Sequence, residues 1–239
     1  MVFNFSATHN YAVLLMGGKG FRLESDTPKQ YMEVAGQELF VYAAKTISDC
    51  HSIDFVIYVV PHKFKEKTEN ILRRTGLNKK PHAVIEGAEE RELSCKNAIW
   101  FLRENKINPH SLVLIHDADR PNVTSDMVSR NIFEATKSQA AVTAIKADDS
   151  MAIIKDGAID SYVDRSSVVR LQTPQTFSYA LLYSSFLRIE DPSAYTDEGS
   201  LVAKATGTKA TIVNGDPSNY KITNKDDLKV FEQSRKKKK

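Results

Sequence analysis

Five short apolar runs, each bounded by polar punctuation, set the tightest limit on what this chain can fold into: YAVLLM (11–16), FVIYVV (55–60), HAVIEG (82–87), LVLIHD (112–117) and AAVTAIKA (140–147). Runs this short, rich in β-branched residues, read as strands covered on both faces, the pattern of a parallel sheet. Between them the apolar spacing changes to that of amphipathic helices, over Phe40–Cys50, Ser94–Asn105 and Thr124–Gln139. The last opens on Thr-Ser-Asp, a natural N-cap. Alternation of this kind predicts an α/β fold, a doubly wound and mostly parallel sheet with right-handed crossovers. At 239 residues and 41% hydrophobic composition, the chain is long enough to bury a sizeable core, and it is read as one domain over 1–239.

The alternation breaks at SMAIIKDGAIDSYVDR. Segments of period two flank Asp156-Gly157, a dipeptide suited to a type I′ turn, so 150–165 is predicted to be a β-hairpin. It has too few apolar residues for a core of its own. The expectation is an arm, residues 147–168, that packs on a second copy and makes a homodimer. Beyond it the pattern gives helices near 178–189 and 197–206, a strand over 210–215 and a last helix from Asn224. No internal repeat or low-complexity linker is present.

Charge and cysteine usage exclude several classes. The formal net charge is +3, but Arg235 to Lys239 are all cationic, and removing those five charges leaves −2. A solvated terminal tail accounts for the basic balance, and no nucleic-acid surface is expected. Cys50 and Cys95 have neither metal spacing nor secretory context and fit reduced thiols. No apolar segment reaches membrane-spanning length, and the first residues lack a signal-peptide pattern. A soluble, cytoplasmic protein without a membrane partner is expected.

The end of the first strand carries the chemistry. LLMGGKGFRLESDTPKQY (14–31) holds three glycines, with Arg22 and Lys29 close behind. In an open α/β sheet, ligands bind at the carboxyl ends of the strands. Bare glycines let backbone N–H groups approach phosphate oxygens. Arg22 offers a fork for two oxygens and Lys29 a compact point charge, a set suited to a triphosphate. A P-loop is excluded because Gly20 and Phe21 follow Lys19. A dinucleotide fingerprint is excluded because position 23 is Leu.

GGKGFR…TPKQY, EGAEERELS, HDADRP, VDR…QTPQTF, TDEGS and NYKIT occur in one order across residues 11–223. In that order they resemble the cytidylyltransferases that activate polyol phosphates. The type member makes 4-diphosphocytidyl-2-C-methylerythritol in the non-mevalonate isoprenoid pathway, and close relatives make CDP-ribitol for teichoic acids and related glycans. The resemblance implies a Rossmann-like nucleotidyltransferase domain that uses CTP, with Mg²⁺ bound mainly through the CTP phosphates and no dedicated protein metal site.

Carried onto this chain, the resemblance implies that Met16, Gly17, Gly18 and Gly20 wrap the triphosphate. Arg22, Lys29 and Lys221 act at the reacting phosphates. Ala88, Glu89, Arg91 and Ser94 lie near the cytosine and ribose, with Ala118 also beside CTP. Asp117 and Arg120 stand between nucleotide and acceptor, and Ser150, Arg165 and Thr173 bind the acceptor phosphate, Arg165 across a dimer interface. Without the family, Asp117 reads as a turn or N-cap residue, Arg165 as a surface partner of Asp164 or Asp160, and Lys221 as a solvent-facing strand lysine. His116 reads as a packed strand residue. Five residues depart from the family pattern: Met16 and Asp119 stand where alanine is common, Phe21 where a small or basic residue is, Leu23 where methionine is usual and Ser150 where threonine is.

The implied reaction is in-line attack of the acceptor phosphate on the α-phosphorus of CTP, with loss of pyrophosphate. The VDR before TPQ favours 2-C-methyl-D-erythritol 4-phosphate as acceptor over ribitol 5-phosphate. From other classes, a non-catalytic nucleotide-binding module fits the fold, as does a nicotinamide-dependent dehydrogenase, although the latter's glycine spacing is absent.

Overall fold

Burial along the strands follows from how apolar each run is. The computed structural model describes residues 3–17 and 27–236. Strand β1 (Asn10–Leu15) leads to a small hairpin of β2 (Glu33–Val34) and β3 (Gln37–Glu38), then helix α1 (Leu39–Asp49) and β4 (Phe55–Val60). Helix α2 (Lys65–Thr75), β5 (His82–Glu86), α3 (Arg91–Glu104), β6 (Leu112–Asp117), α4 (Ser125–Ser138) and β7 (Ala140–Lys146) continue the alternation. The chain then forms β8 (Met151–Lys155), β9 (Ala158–Val163) and β10 (Val169–Ser178). It finishes with α5 (Tyr179–Arg188), α6 (Glu198–Thr206), β11 (Thr211–Asn214) and α7 (Lys225–Lys236).

Among the described residues seven strands form the central sheet, in the order β11-β7-β10-β6-β1-β4-β5. Every neighbouring pair is parallel except those of β10, which runs antiparallel to both β6 and β7. Side chains alternate across the sheet as the pleat requires. Ala12, Leu14 and Met16 join Phe40, Tyr58, Leu114 and Met127 in one core layer. Tyr11, Val13 and Leu15 join Ile57, Ile99, Phe177 and Leu182 in the other.

Two expectations change. Helix α2 was not foreseen, because KEKTENILRRT buries only Thr68, Ile71 and Leu72 and shows little apolar period. Strand β10 was not foreseen either, because its centre is polar. Gln172, Thr173, Gln175 and Thr176 are nonetheless buried. The β8–β9 hairpin is present, and Asp156 and Gly157 have φ of 50° and 80°, the paired positive values a type I′ turn needs. Both of its strands are exposed almost throughout. Among the described residues no helix is long and apolar enough to cross a membrane.

Candidate active site

The carboxyl ends of β1 and β6 lie side by side at the middle of the sheet, with Leu15 opposite Asp117. Ala118 N–H donates to Leu15 O at 3.0 Å, and Met16 N–H to Val59 O at 2.9 Å, extending both strand ends. The Met16 side chain is fully buried in the core layer, so its bulk projects into the core. Gly17 sits against the loop that opens α3. A Cβ there would stand 3.2 Å from Ser94 Oγ, tighter than ordinary contact. Ser94 Oγ accepts from Ala88 N–H at 2.9 Å and donates to Ala88 O at 3.1 Å, fixing that loop. The structure therefore brings Gly17, Ala88 and Ser94 together. Glu89, in the same loop, is exposed. Gly18, Gly20 and Arg22 lie outside the described residues.

Asp117 gathers the cations. It is buried, and its carboxylate accepts from Arg91 Nε at 2.8 Å and Lys221 Nζ at 3.0 Å, with Arg120 Nε 3.9 Å away. Burial alone would raise its pKa, but the charges of Arg91, Lys221 and Arg120 outweigh that and hold it well below the usual carboxylate range. The same pairing works in reverse at Lys221, whose pKa is raised chiefly by Asp117. Asp117 is thus an ion-pair hub and not a helix cap, and Lys221 does not lie in a strand.

Arg91 is held on its other side by Glu198, with Nη1 and Nη2 reaching the two carboxylate oxygens at 2.8 and 3.1 Å. Within the chain its guanidinium is therefore a brace between β6 and α6. Burial would lower its pKa; Asp117 and Glu198 raise it well above normal. Glu198 comes from TDEGS, whose order alone gave no role, and its side chain is completely buried.

A second carboxylate completes the cluster. Asp119 Oδ2 lies 2.6 Å from Lys29 Nζ and 3.9 Å from Lys221 Nζ. Lys29 Nζ also donates to Ile222 O at 2.8 Å. Arg120 Nη1 donates to Asn219 O at 3.0 Å, and burial lowers the Arg120 pKa despite Asp117 and Asp119 nearby. Buried polar atoms without a hydrogen-bond partner among the described residues gather here: Asp119 Oδ1, Arg120 Nε, Gln30 Oε1 and Asn219 Oδ1. Such groups are costly in a folded chain, although Tyr11, Asn131, Thr176 and Arg235 carry others outside the cluster.

Behind the hub lies a neutral relay. His116 Nε2 is 3.1 Å from Arg120 O, an acceptor only, so Nε2 carries the proton. Nδ1 then accepts the Thr173 hydroxyl proton at 3.0 Å, and Thr173 Oγ1 accepts from Asp117 N–H at 3.1 Å. Burial pushes the imidazole pKa down to about 4, so it is neutral at physiological pH. The Thr173 hydroxyl proton is thereby spent on His116 inside the chain, which leaves that oxygen a lone pair to offer and no donor.

Ser150 and Arg165 stand apart, exposed at the base of the hairpin. Arg165 Nη1 donates to Asp148 O at 3.3 Å, and Asp164 caps its own turn through Ser166 N–H and Oγ. The predicted pairing of Arg165 with Asp164 or Asp160 is not formed, because Asp164 is closer to the donors of its own turn. Among the described residues no hydrogen bond or ion pair links Ser150 or Arg165 to the Asp117 cluster of the same chain.

A family model described as IspD, 2-C-methyl-D-erythritol 4-phosphate cytidylyltransferase, matches residues 11–234. The 2-C-methyl-D-erythritol 4-phosphate cytidylyltransferase of Thermosipho africanus is 39% identical over 221 residues, which span 92% of this chain and 95% of the relative. That of Thermosipho melanesiensis is 36% identical over 219 residues, 92% and 94% of the two chains. Among solved structures, 4-diphosphocytidyl-2C-methyl-D-erythritol synthase from Anaerococcus prevotii aligns with a TM-score of 0.80 at 27% identity, covering 96% of each chain.

Proposed function

Since the chain belongs to the 2-C-methyl-D-erythritol 4-phosphate cytidylyltransferase family, we propose that it transfers the cytidylyl group of CTP to 2-C-methyl-D-erythritol 4-phosphate, and that the Asp117 cluster is where the two phosphates meet. An oxygen of the acceptor phosphate attacks the α-phosphorus and forms one P–O bond. The bridging bond to the β-phosphorus breaks, and pyrophosphate leaves with the electron pair. Both reactants are polyanions, so positioning and charge neutralisation dominate the barrier. The acceptor phosphate is largely a dianion near neutral pH and needs no general base. That accords with the neutral His116, both of whose nitrogens are already hydrogen-bonded.

The observation that carries this reading is the meeting of Lys29 and Lys221, distant in sequence, at one carboxylate beside the β6 terminus. Their ammonium groups, with Arg22, would neutralise charge on the α-phosphorus as it becomes five-coordinate. Gly17, Gly18 and Gly20 would cradle the triphosphate, and Ala88, Glu89, Ser94 and Ala118 would face the nucleoside. The residues present fit a Mg²⁺ ion held mainly by the nucleotide. Among the described residues no group of three or more His, Cys, Asp or Glu is placed to hold one alone, whereas Asp119 Oδ1 is a buried carboxylate oxygen without a hydrogen-bond partner. When bound, the ion adds positive charge to the triphosphate.

The arm belongs to the same reading. Ile153, Ile154, Ile159 and Tyr162 are exposed on it, more apolar surface than an isolated hairpin keeps in water. We infer a homodimer in which the arm carries Arg165 and Ser150 to the acceptor phosphate in the partner's site, within a single-domain, cytoplasmic enzyme. The test is pyrophosphate release from CTP with each acceptor offered separately. Fast release with 2-C-methyl-D-erythritol 4-phosphate and slow release with ribitol 5-phosphate are expected. Release with neither, from a folded protein that binds CTP, would favour a binding module instead.

A further inference from the structure

Asp119 places a negative charge between Lys29 and Lys221, where the proposed function brings a polyanion, and this asks for a reason. Three contacts close a ring around it. Ile222 N–H donates to Asp119 O at 2.8 Å, Lys29 Nζ donates to Ile222 O at 2.8 Å, and Lys29 Nζ meets Asp119 Oδ2 at 2.6 Å. The ring joins the 3-10 turn Lys29–Tyr31, the end of β6 and the segment that carries Lys221. Because one oxygen lies 2.6 Å from Lys29 Nζ and 3.9 Å from Lys221 Nζ, the two ammonium groups are no more than about 6.5 Å apart, the sum of those distances. Two like charges that close repel unless an anion sits between them. Two of the three Lys29 N–H donors are engaged by the ring.

We propose that Asp119 is a positioning residue, which holds the Lys29 ammonium beside Lys221 before the nucleotide arrives so that the two cations meet the phosphates as a pair. The inference rests on the proposed function for its kinetic consequence but not for its geometry. Removing an anion from an anion site does not weaken nucleotide binding in itself, whereas losing a preset cation slows the chemical step. The expected signature is therefore split between kcat and KM.

Asp119→Asn and Asp119→Ala are expected to lower kcat at least tenfold, while KM for CTP stays level or falls. In a Lys29→Ala background, Asp119→Asn adds no further loss, because both changes remove one interaction. Asp119→Glu keeps the carboxylate and recovers part of kcat. A readout free of CTP and Mg²⁺ is the rate at which Lys29, whose side chain is 13% exposed, is acylated by a small activated ester and counted by peptide mass spectrometry. That rate is expected to rise severalfold in Asp119→Asn and to stay near the wild-type value in Asp119→Glu. Unchanged labelling in Asp119→Asn, or an equal kcat loss with and without Lys29, overturns the proposal. If the wild-type chain releases no pyrophosphate with either acceptor, the assigned reaction fails, and the labelling rates still decide the role of Asp119.

Discussion

At Lys221 the charge is guaranteed by its neighbour: Asp117 outweighs burial and raises the ammonium's pKa. Lys221→Ala is therefore expected to cost about 3 kcal/mol of transition-state stabilisation, a roughly hundredfold loss in kcat/KM, measured as initial rates of pyrophosphate release. Arg91→Ala acts on the fold instead. It strips the partner from the fully buried Glu198 and one of the cations from Asp117, so urea unfolding should show a loss of about 3–5 kcal/mol. His116 supplies a pH signature. Its folded pKa of about 4 lies below the ordinary 6.5, so between those values the unfolded chain binds a proton that the folded chain refuses. The stability it contributes is complete above pH 6.5 and is lost as the pH falls towards 4. The loss amounts to about 3 kcal/mol, and His116→Gln should remove that slope in urea titrations run across the window.

Strands β1, β4 and β6 were legible in the sequence because they are apolar on both faces, and the hairpin because Asp156-Gly157 specifies its turn. Strand β10 was not, since its centre is held by hydrogen bonds that no periodicity reveals. Gln172 Nε2 reaches Asp216 O at 2.9 Å, Gln175 Oε1 accepts from Gly199 N–H at 3.0 Å, and Thr143 Oγ1 donates to Pro174 O at 2.6 Å. The site shows the same division. Gly17 and Lys29 stand out locally as a glycine turn and a nearby cation. The partnerships of Arg91 with Glu198 and of Lys29 with Asp119 join segments remote in sequence, and only the fold creates them. The hairpin also carries a prediction. Ile154 is 75% exposed and Tyr162 79%, so Ile154→Glu with Tyr162→Ser should shift the sedimentation coefficient from dimer to monomer. Activity should fall with it if Arg165 works on the partner's site. A wild-type chain that sediments as a monomer at micromolar concentration would refute the arm's assigned role.

For the molecule as a whole, the central cluster balances itself: Lys29, Arg91, Arg120 and Lys221 face Asp117, Asp119 and Glu198, with Glu92 3.4 Å from Arg91. On the proposed reading a nucleotide entering it would couple the ends of β1 and β6 to the segment before α7, and ligand that binds only the folded state stabilises it by mass action. CTP at a hundredfold above its Kd should add about 2.7 kcal/mol and raise the melting temperature in a thermal-shift scan, whereas NAD should leave it unchanged. The tie between Lys29 and the carbonyl of Ile222 has a consequence for biosynthesis. All seven strands of the sheet are complete by Asn214, so a growing polypeptide can in principle lay down its scaffold early. On the proposed reading it gains its chemistry only when Lys221, seven residues further on, has been added. On that reading a product released prematurely, just short of Lys221, would be a scaffold without a reaction.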